Sequence, residues 1–168
     1  MKIDYPIWIG DHVALYGYDL VGDCEFVMSC DIRIAAEAAK FGFPETDVGL
    51  TITTAGTKLL TQIVGLGKAK ELVFTGDFID AHEAKAIGLA NKVVATESLM
   101  DETMAMARRI GEKSPLALKL SRIAIDQGLH SSFEQTLEME AGHLLICAGA
   151  QNQQKFVERK LEKMKGKC

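Results

Sequence analysis

Two glutamates twenty positions apart, Glu25 in GYDLVGDCEFVMSC and Glu45 in KFGFPETDVGL, are the side chains best placed to move protons. Gly22 precedes Glu25 where an apolar run begins. A glycine at a helix start lets backbone N–H groups approach a ligand, and the helix dipole favours negative charge there. Pro44 precedes Glu45, and its locked φ fixes the approach of the chain. Two aimed carboxylates beside such a glycine suit chemistry that exchanges protons while a nearby oxygen carries negative charge. Each residue also has a plain structural use: a turn glycine, an acid complementing a helix dipole, a polar turn residue after a proline.

The elements that must hold these residues follow from spacing. Val13 to Tyr16 reads as a short buried strand ending at Gly17, entered through the polar pair Asp11 and His12. Gly22 to Cys30 reads as a short helix with Phe26, Val27 and Cys30 on one face, and Asp31–Ala35 and Lys40–Phe43 alternate like strands. From Thr53 onward the pattern is chiefly helical, with a helix over Lys68–Thr75. Asp80-Ala-His-Glu83 is a capping box, Gly88 a helix stop, and Leu89–Ala95 a further strand. Leu99, Thr103, Met104, Ala107 and Ile110 form a helical stripe. Ser114-Pro115 opens a helix that Gly128 closes, and Ser131-Ser-Phe-Glu134 is a second capping box leading a helix to about Cys147. Gln151–Lys165 is amphipathic about Phe156, Val157, Leu161 and Met164, and the basic C-terminal side comprises Lys155, Arg159, Lys160, Lys163, Lys165 and Lys167. Strands early and helices late make an α/β chain.

Bulk properties narrow the function classes. The chain has 168 residues, 48% of them hydrophobic, which is enough for one core without linker or repeat. The net charge is −4, with basic residues interleaved among acids, so nucleic acid is not an expected partner. No apolar run approaches the roughly 20 residues of a membrane span, and MKIDYPIWIGDHV lacks a secretory core. Cys24, Cys30, Cys147 and Cys168 fit neither a disulfide framework nor a zinc site, so a reducing cytoplasmic setting is expected. Gly17 to Gly22 is not a dinucleotide fingerprint, and Gly65-Leu-Gly67-Lys68 is not a phosphate loop.

The runs GYDLVGDCEFVMSCDIRIA, KFGFPETDVGL and GKAKELVFTGDFIDAHEAKAIGLANKVV, in that order, resemble the crotonase, or enoyl-CoA hydratase/isomerase, family from about Ala14 to the C-terminus. The resemblance implies a stack of ββα turns over residues 1–113, a C-terminal helical oligomerisation region over 114–168, homotrimers or hexamers, and an acyl-CoA thioester as substrate. It implies no cofactor beyond the coenzyme A of that substrate. Residue by residue, Gly22 would supply an oxyanion N–H. Glu25 would hold or activate water, and Glu45 would exchange the proton at the α-carbon. Asp23, Thr53, Phe156 and Lys160 are the substrate-binding positions the resemblance implies. Water addition to a 2-enoyl-CoA is the expected reaction, with isomerase, hydrolase or decarboxylase chemistry as alternatives.

Three departures from the family pattern bear on that expectation. The part that normally supplies the first ββα turns and the second oxyanion N–H lies before the point where the resemblance begins. Val21 and Asp23 flank Gly22 where the family often has glycines, and Asp23 adds a carboxylate beside a site meant for negative charge. Thr51-Ile-Thr-Thr-Ala-Gly56 stands where a glycine-rich stretch is usual. A silent homologue serving as an oligomeric module, or a site completed by a second chain, are the competing expectations. A stack opened on one side should also expose a strand edge and apolar surface, which calls for an obligate oligomer or partner.

Overall fold

Short apolar runs broken by glycine and proline can pair only as short strands, and the chain uses them in a repeating order. The structure is a computed structural model that describes residues 12–15, 18–19 and 23–165; for residues 12–15, 18, 19, 23, 25 and 26 the description is of the backbone alone. Strands β1 (His12–Leu15) and β2 (Tyr18–Asp19) lead to helix α1 (Asp23–Met28), and β3 (Ile32–Ala36) and β4 (Lys40–Phe41) lead to a 3-10 turn, Pro44–Val48. These are two successive ββα units. β1 pairs with β3 in parallel, His12 opposite Ile32 and Leu15 opposite Ala35. β2 pairs with β4 in parallel, Tyr18 opposite Lys40.

The remaining elements are α2 (Gly56–Val64), α3 (Leu66–Thr75), β5 (Ile79–Asp80), α4 (Ala81–Ala86), β6 (Lys92–Val94), a 3-10 turn (Thr96–Ser98), α5 (Leu99–Gly111), α6 (Pro115–Gly128), α7 (Phe133–Ala148) and α8 (Gln153–Lys165). β6 adds in parallel to β3, and β5 adds antiparallel to β4, giving two three-stranded sheets among the described residues. The chain divides into two compact units, the break falling inside α5 between Ala107 and Arg108.

In the first unit, Cys24, Val27 and Met28 of α1 share a core cluster with Phe41, Phe43, Ile52 and Leu60. Arg33, in the middle strand β3, is buried there. Its guanidinium donates from Nε to the Leu89 carbonyl at 2.6 Å and from Nη1 to the Cys30 carbonyl at 2.7 Å. Burial lowers its pKa from the ordinary value, with Cys30 and Asp31 acting in the opposite sense. The Arg33 N–H donates to Asn91 Oδ1 at 2.8 Å, and the Asn91 N–H donates to the Arg33 carbonyl at 2.8 Å. One residue thus joins the exit of α1 to the entrance of β6.

Several expected boundaries shift. Lys40–Phe43 is a strand only over Lys40–Phe41, because Pro44 has no N–H for a ladder and starts the 3-10 turn. Leu89–Ala95 is a strand only over Lys92–Val94. Asp80 does cap α4, accepting from the Glu83 N–H at 2.8 Å, a bond that lowers its pKa. The reciprocal half of that box is missing, since the Glu83 carboxylate accepts from Lys68 Nζ instead. The second box is displaced by one residue: Ser132, not Ser131, caps α7, and Gln135 returns the bond to the Ser132 N–H at 3.0 Å. Tyr16 and Gly17 lie outside the described residues.

In the second unit, no residue of α6, α7 or α8 is buried, although α6 packs on α7. Leu144 and Leu145 of α7 are 69% and 73% exposed. Glu112 accepts from Lys163 Nζ at 2.8 Å, which holds its carboxyl below the ordinary range.

Replacing Arg33 by Met strands the Cys30 and Leu89 carbonyls in the interior. The expected loss of unfolding free energy is about 2–4 kcal/mol, read from urea titrations of both proteins; an unchanged midpoint would show that these carbonyls do not depend on the guanidinium.

Candidate active site

The approach to Glu45 is built from residues that leave its backbone little choice. After β4, Gly42 lies under the Phe78 ring so closely that a Cβ there would sit 2.6 Å from ring carbons. Phe43 is buried, Pro44 occupies the first turn, and Gly49 closes the 3-10 turn with φ +73. The Leu50 N–H donates to the Glu45 carbonyl at 2.9 Å. The side chain is 4% exposed, and its Oε2 has no hydrogen-bond partner among the described residues. A buried carboxylate oxygen left without a donor is costly, and such an atom is set up to exchange a proton with whatever enters beside it.

Glu25 is the third residue of α1, with Asp23 the first; the side chains of both, and Gly22 altogether, lie outside the described residues. The backbone nonetheless relates the two glutamates. β1 and β3 pair with an offset of twenty residues, His12 to Ile32, and Glu25 and Glu45 are separated by the same twenty. β2 and β4, which lie nearer to them in the chain, pair with an offset of twenty-two, Tyr18 to Lys40, so the pairing sets α1 and the Pro44–Val48 turn after neighbouring strands of one parallel stack without setting one glutamate opposite the other. The helix bearing one and the turn bearing the other border the same core, through Cys24 and Val27 on one side and Phe43 on the other.

The Thr51–Gly56 segment takes a glycine-like backbone at two residues that are not glycine. Thr54 and Ala55 have φ of 51° and 59°, in the left-handed region that β-branched residues rarely adopt. Ile52 points inward, while Thr51, Thr53 and Thr54 are exposed, and the Gly56 N–H donates to the Thr53 carbonyl at 2.7 Å. Thr53 thus presents a hydroxyl at the surface three residues before the start of α2.

Phe156 and Lys160 lie one turn apart on α8 and line one open cavity of about 650 Å3, together with Pro115, Cys147, Val157 and Leu161. The lining is mostly apolar, with Ser114, Gln153 and Lys160 among its polar residues. Arg159 stacks over the Phe156 ring at 5.9 Å. Among the described residues, no group of His, Cys, Asp or Glu could hold a metal ion. Nor is any described helix long and apolar enough to cross a membrane.

A family model described as enoyl-CoA hydratase/isomerase matches residues 13–167. The chain belongs to the enoyl-CoA hydratase/isomerase family. It is 43% identical over 152 residues to a protein of Syntrophomonas wolfei named crotonyl-CoA hydratase, covering 90% of this chain and 58% of that relative. It is 41% identical over 144 residues to a short-chain-enoyl-CoA hydratase of Clostridioides difficile, covering 86% of this chain and 92% of that relative. The crystal structure of enoyl-CoA hydratase from Bacillus anthracis superimposes with a TM-score of 0.86 at 33% identity, covering 90% of this chain and 59% of that one. The chain thus spans less than two thirds of the length of the first relative and of that structure. The fold is the α/β crotonase fold.

Within this enoyl-CoA hydratase/isomerase chain, sequence reasoning passed over two residues that shape the site. Arg33 sits inside an alternating strand pattern and gives no signal of burial. Thr46, next to Glu45, donates from Oγ1 to the Val73 carbonyl at 2.8 Å; only a hydroxyl in a tight turn hinted at it. The strain at Thr54–Ala55 is measurable. Ala55→Gly should raise stability by about 1 kcal/mol by relieving a left-handed alanine, seen as a higher denaturant midpoint; a lower midpoint would mean that the conformation costs nothing.

Proposed function

We propose that this chain hydrates a 2-enoyl-CoA thioester. The observation that carries the reading is the buried, unpartnered Oε2 of Glu45. Proton exchange at a carbon beside a thioester is hard unless the developing enolate oxygen is met by preorganised donors. In this reading the Gly22 N–H at the start of α1 is one such donor. Glu25 takes a proton from water as the water oxygen bonds to the β-carbon. Glu45 delivers a proton to the α-carbon as the enolate collapses. One oxygen–carbon bond and one carbon–hydrogen bond form, and the conjugated double bond is lost.

Asp23 and Thr53 then border the acyl part of the substrate. Phe156 and Lys160 serve its CoA portion, for which an apolar wall beside a fixed positive charge suits a nucleotide base and a phosphate. CoA enters only as part of the substrate, and acid–base chemistry with an oxyanion site asks for no further cofactor. The names of the relatives support the same reaction, since both are called hydratases of short enoyl-CoA or crotonyl-CoA. A cytoplasmic setting accords with the acidic composition and with cysteines at spacings that fit no disulfide framework.

The reading is tested by following the loss of the conjugated thioester absorbance of crotonyl-CoA. Glu45→Gln and Glu25→Gln should each lower kcat by about 10²–10⁴-fold. A chain that hydrates no short enoyl-CoA, or variants that hydrate it at the unaltered rate, would overturn the assignment.

We also propose that the chain assembles as a homotrimer or hexamer. Helices α6 to α8 bury no residue, and α7 leaves Leu144, Leu145 and Ile146 more than half exposed. A run of apolar surface of this kind marks an interaction face. Native mass measurement at micromolar concentration should give three or six copies; a stable monomer contradicts the assembly.

A further inference from the structure

Glu45 does not stand on a long helix. Its 3-10 turn is five residues long, and neighbouring side chains fasten it to the end of α3. The last carbonyls of a helix have no amide of their own. In α3 the Gly76 N–H takes the Leu72 carbonyl, while the Asp77 N–H, next in line for Val73, donates to Thr75 Oγ1 at 3.2 Å instead. The Val73 carbonyl is met by the Thr46 hydroxyl, from 27 positions away in sequence. Beside it the Asp47 carboxylate lies against Gly76, close enough that a Cβ on that residue would sit 2.9 Å from its oxygens. Gly76 has φ +67, so the close approach and the turn both call for glycine.

We propose that Thr46 is a positioning residue for Glu45, its hydroxyl fixing the turn on α3 and so the direction of the buried carboxylate. This rests on the reading that Glu45 exchanges the α-proton. Thr46 is itself exposed, so exchanging its hydroxyl for a methyl leaves the core intact. Without that bond the carbonyl of Val73 turns to water and the turn gains a way to lift. The carboxylate then loses its fixed aim, although its own chemistry is unchanged. Misplacing a reacting group by about 1 Å is enough to cost on the order of 10²-fold in rate.

Two variants separate the hydroxyl from the shape of the side chain: Thr46→Val keeps the shape, and Thr46→Ser keeps the hydroxyl. Hydrogen exchange of the Leu50 amide, which is bonded to the Glu45 carbonyl, reads the clamp directly and needs no turnover. Exchange should be roughly five- to tenfold faster in Thr46→Val and near wild type in Thr46→Ser, with the α2 amides unchanged in both. Equal protection in wild type and Thr46→Val overturns the proposal. In crotonyl-CoA hydration, Thr46→Val should lose about tenfold or more in kcat with KM within about twofold. Thr46→Ser should recover most of that loss. A loss shared equally by both variants also overturns the proposal. A wild-type chain without hydratase activity counts against the function proposed above, and the exchange rates then decide the clamp alone.

Discussion

Parallel, in-register pairing of consecutive ββα units is the constraint on which the rest of this structure depends. A parallel pair needs a crossover between its strands, and between β1 and β3 that crossover is the short strand β2 followed by helix α1. β1 lies on β3 with an offset of twenty residues and β2 on β4 with an offset of twenty-two, so the segments that follow these strands succeed one another along the stack. α1 and the Pro44–Val48 turn become successive steps of one stack, and each carries a glutamate. The pairing of backbone amides, rather than any attraction between the acids, is what brings these two segments into one stack. Two like charges gain nothing from being near each other; the sheet supplies what they lack.

The sequence made the approach to Glu45 and the helix starts legible because both rest on local chemistry. Pro44 before Glu45, Asp80 at the start of α4 and Ser114-Pro115 at the start of α6 are each decided within four residues, and each stands where expected. The failures share a different cause. β2 and β5 are two residues long, too short to show any period. The strand β3 reads as alternating, but four of its five residues are buried, as happens when a parallel strand is covered on both faces. Arg33 therefore goes inside where alternation would leave it out. The two serines before α7 could each cap the helix; Gln135, by returning a bond to Ser132, decides between them. Thr46 and Val73 are 27 residues apart, and no local pattern announces such a partner.

The two compact units bury their apolar residues very differently. The first closes a continuous cluster from Cys24 to Ala90, with several side chains wholly inside. The second has three helices of 13 to 16 residues that carry apolar side chains yet bury none of them completely. Capping and the turn between α6 and α7 give these helices local order, as the Ser132–Gln135 box illustrates. Most helical stability in folded proteins comes from covering an apolar face, and that contribution is left incomplete here.

Arg33 has one more consequence. Its guanidinium is held by carbonyl oxygens, which do not titrate, and an arginine stays protonated throughout the accessible range. The Glu112–Lys163 contact is of another kind: its carboxylate has a depressed pKa, so whatever it contributes is present above the ordinary value of 4.5 and fades as pH falls through the lower folded value. Strong acid therefore loosens the Glu112–Lys163 contact, and the Asp80 cap of α4 whose carboxylate is likewise held low, while the hold of the guanidinium on the Leu89 and Cys30 carbonyls is untouched.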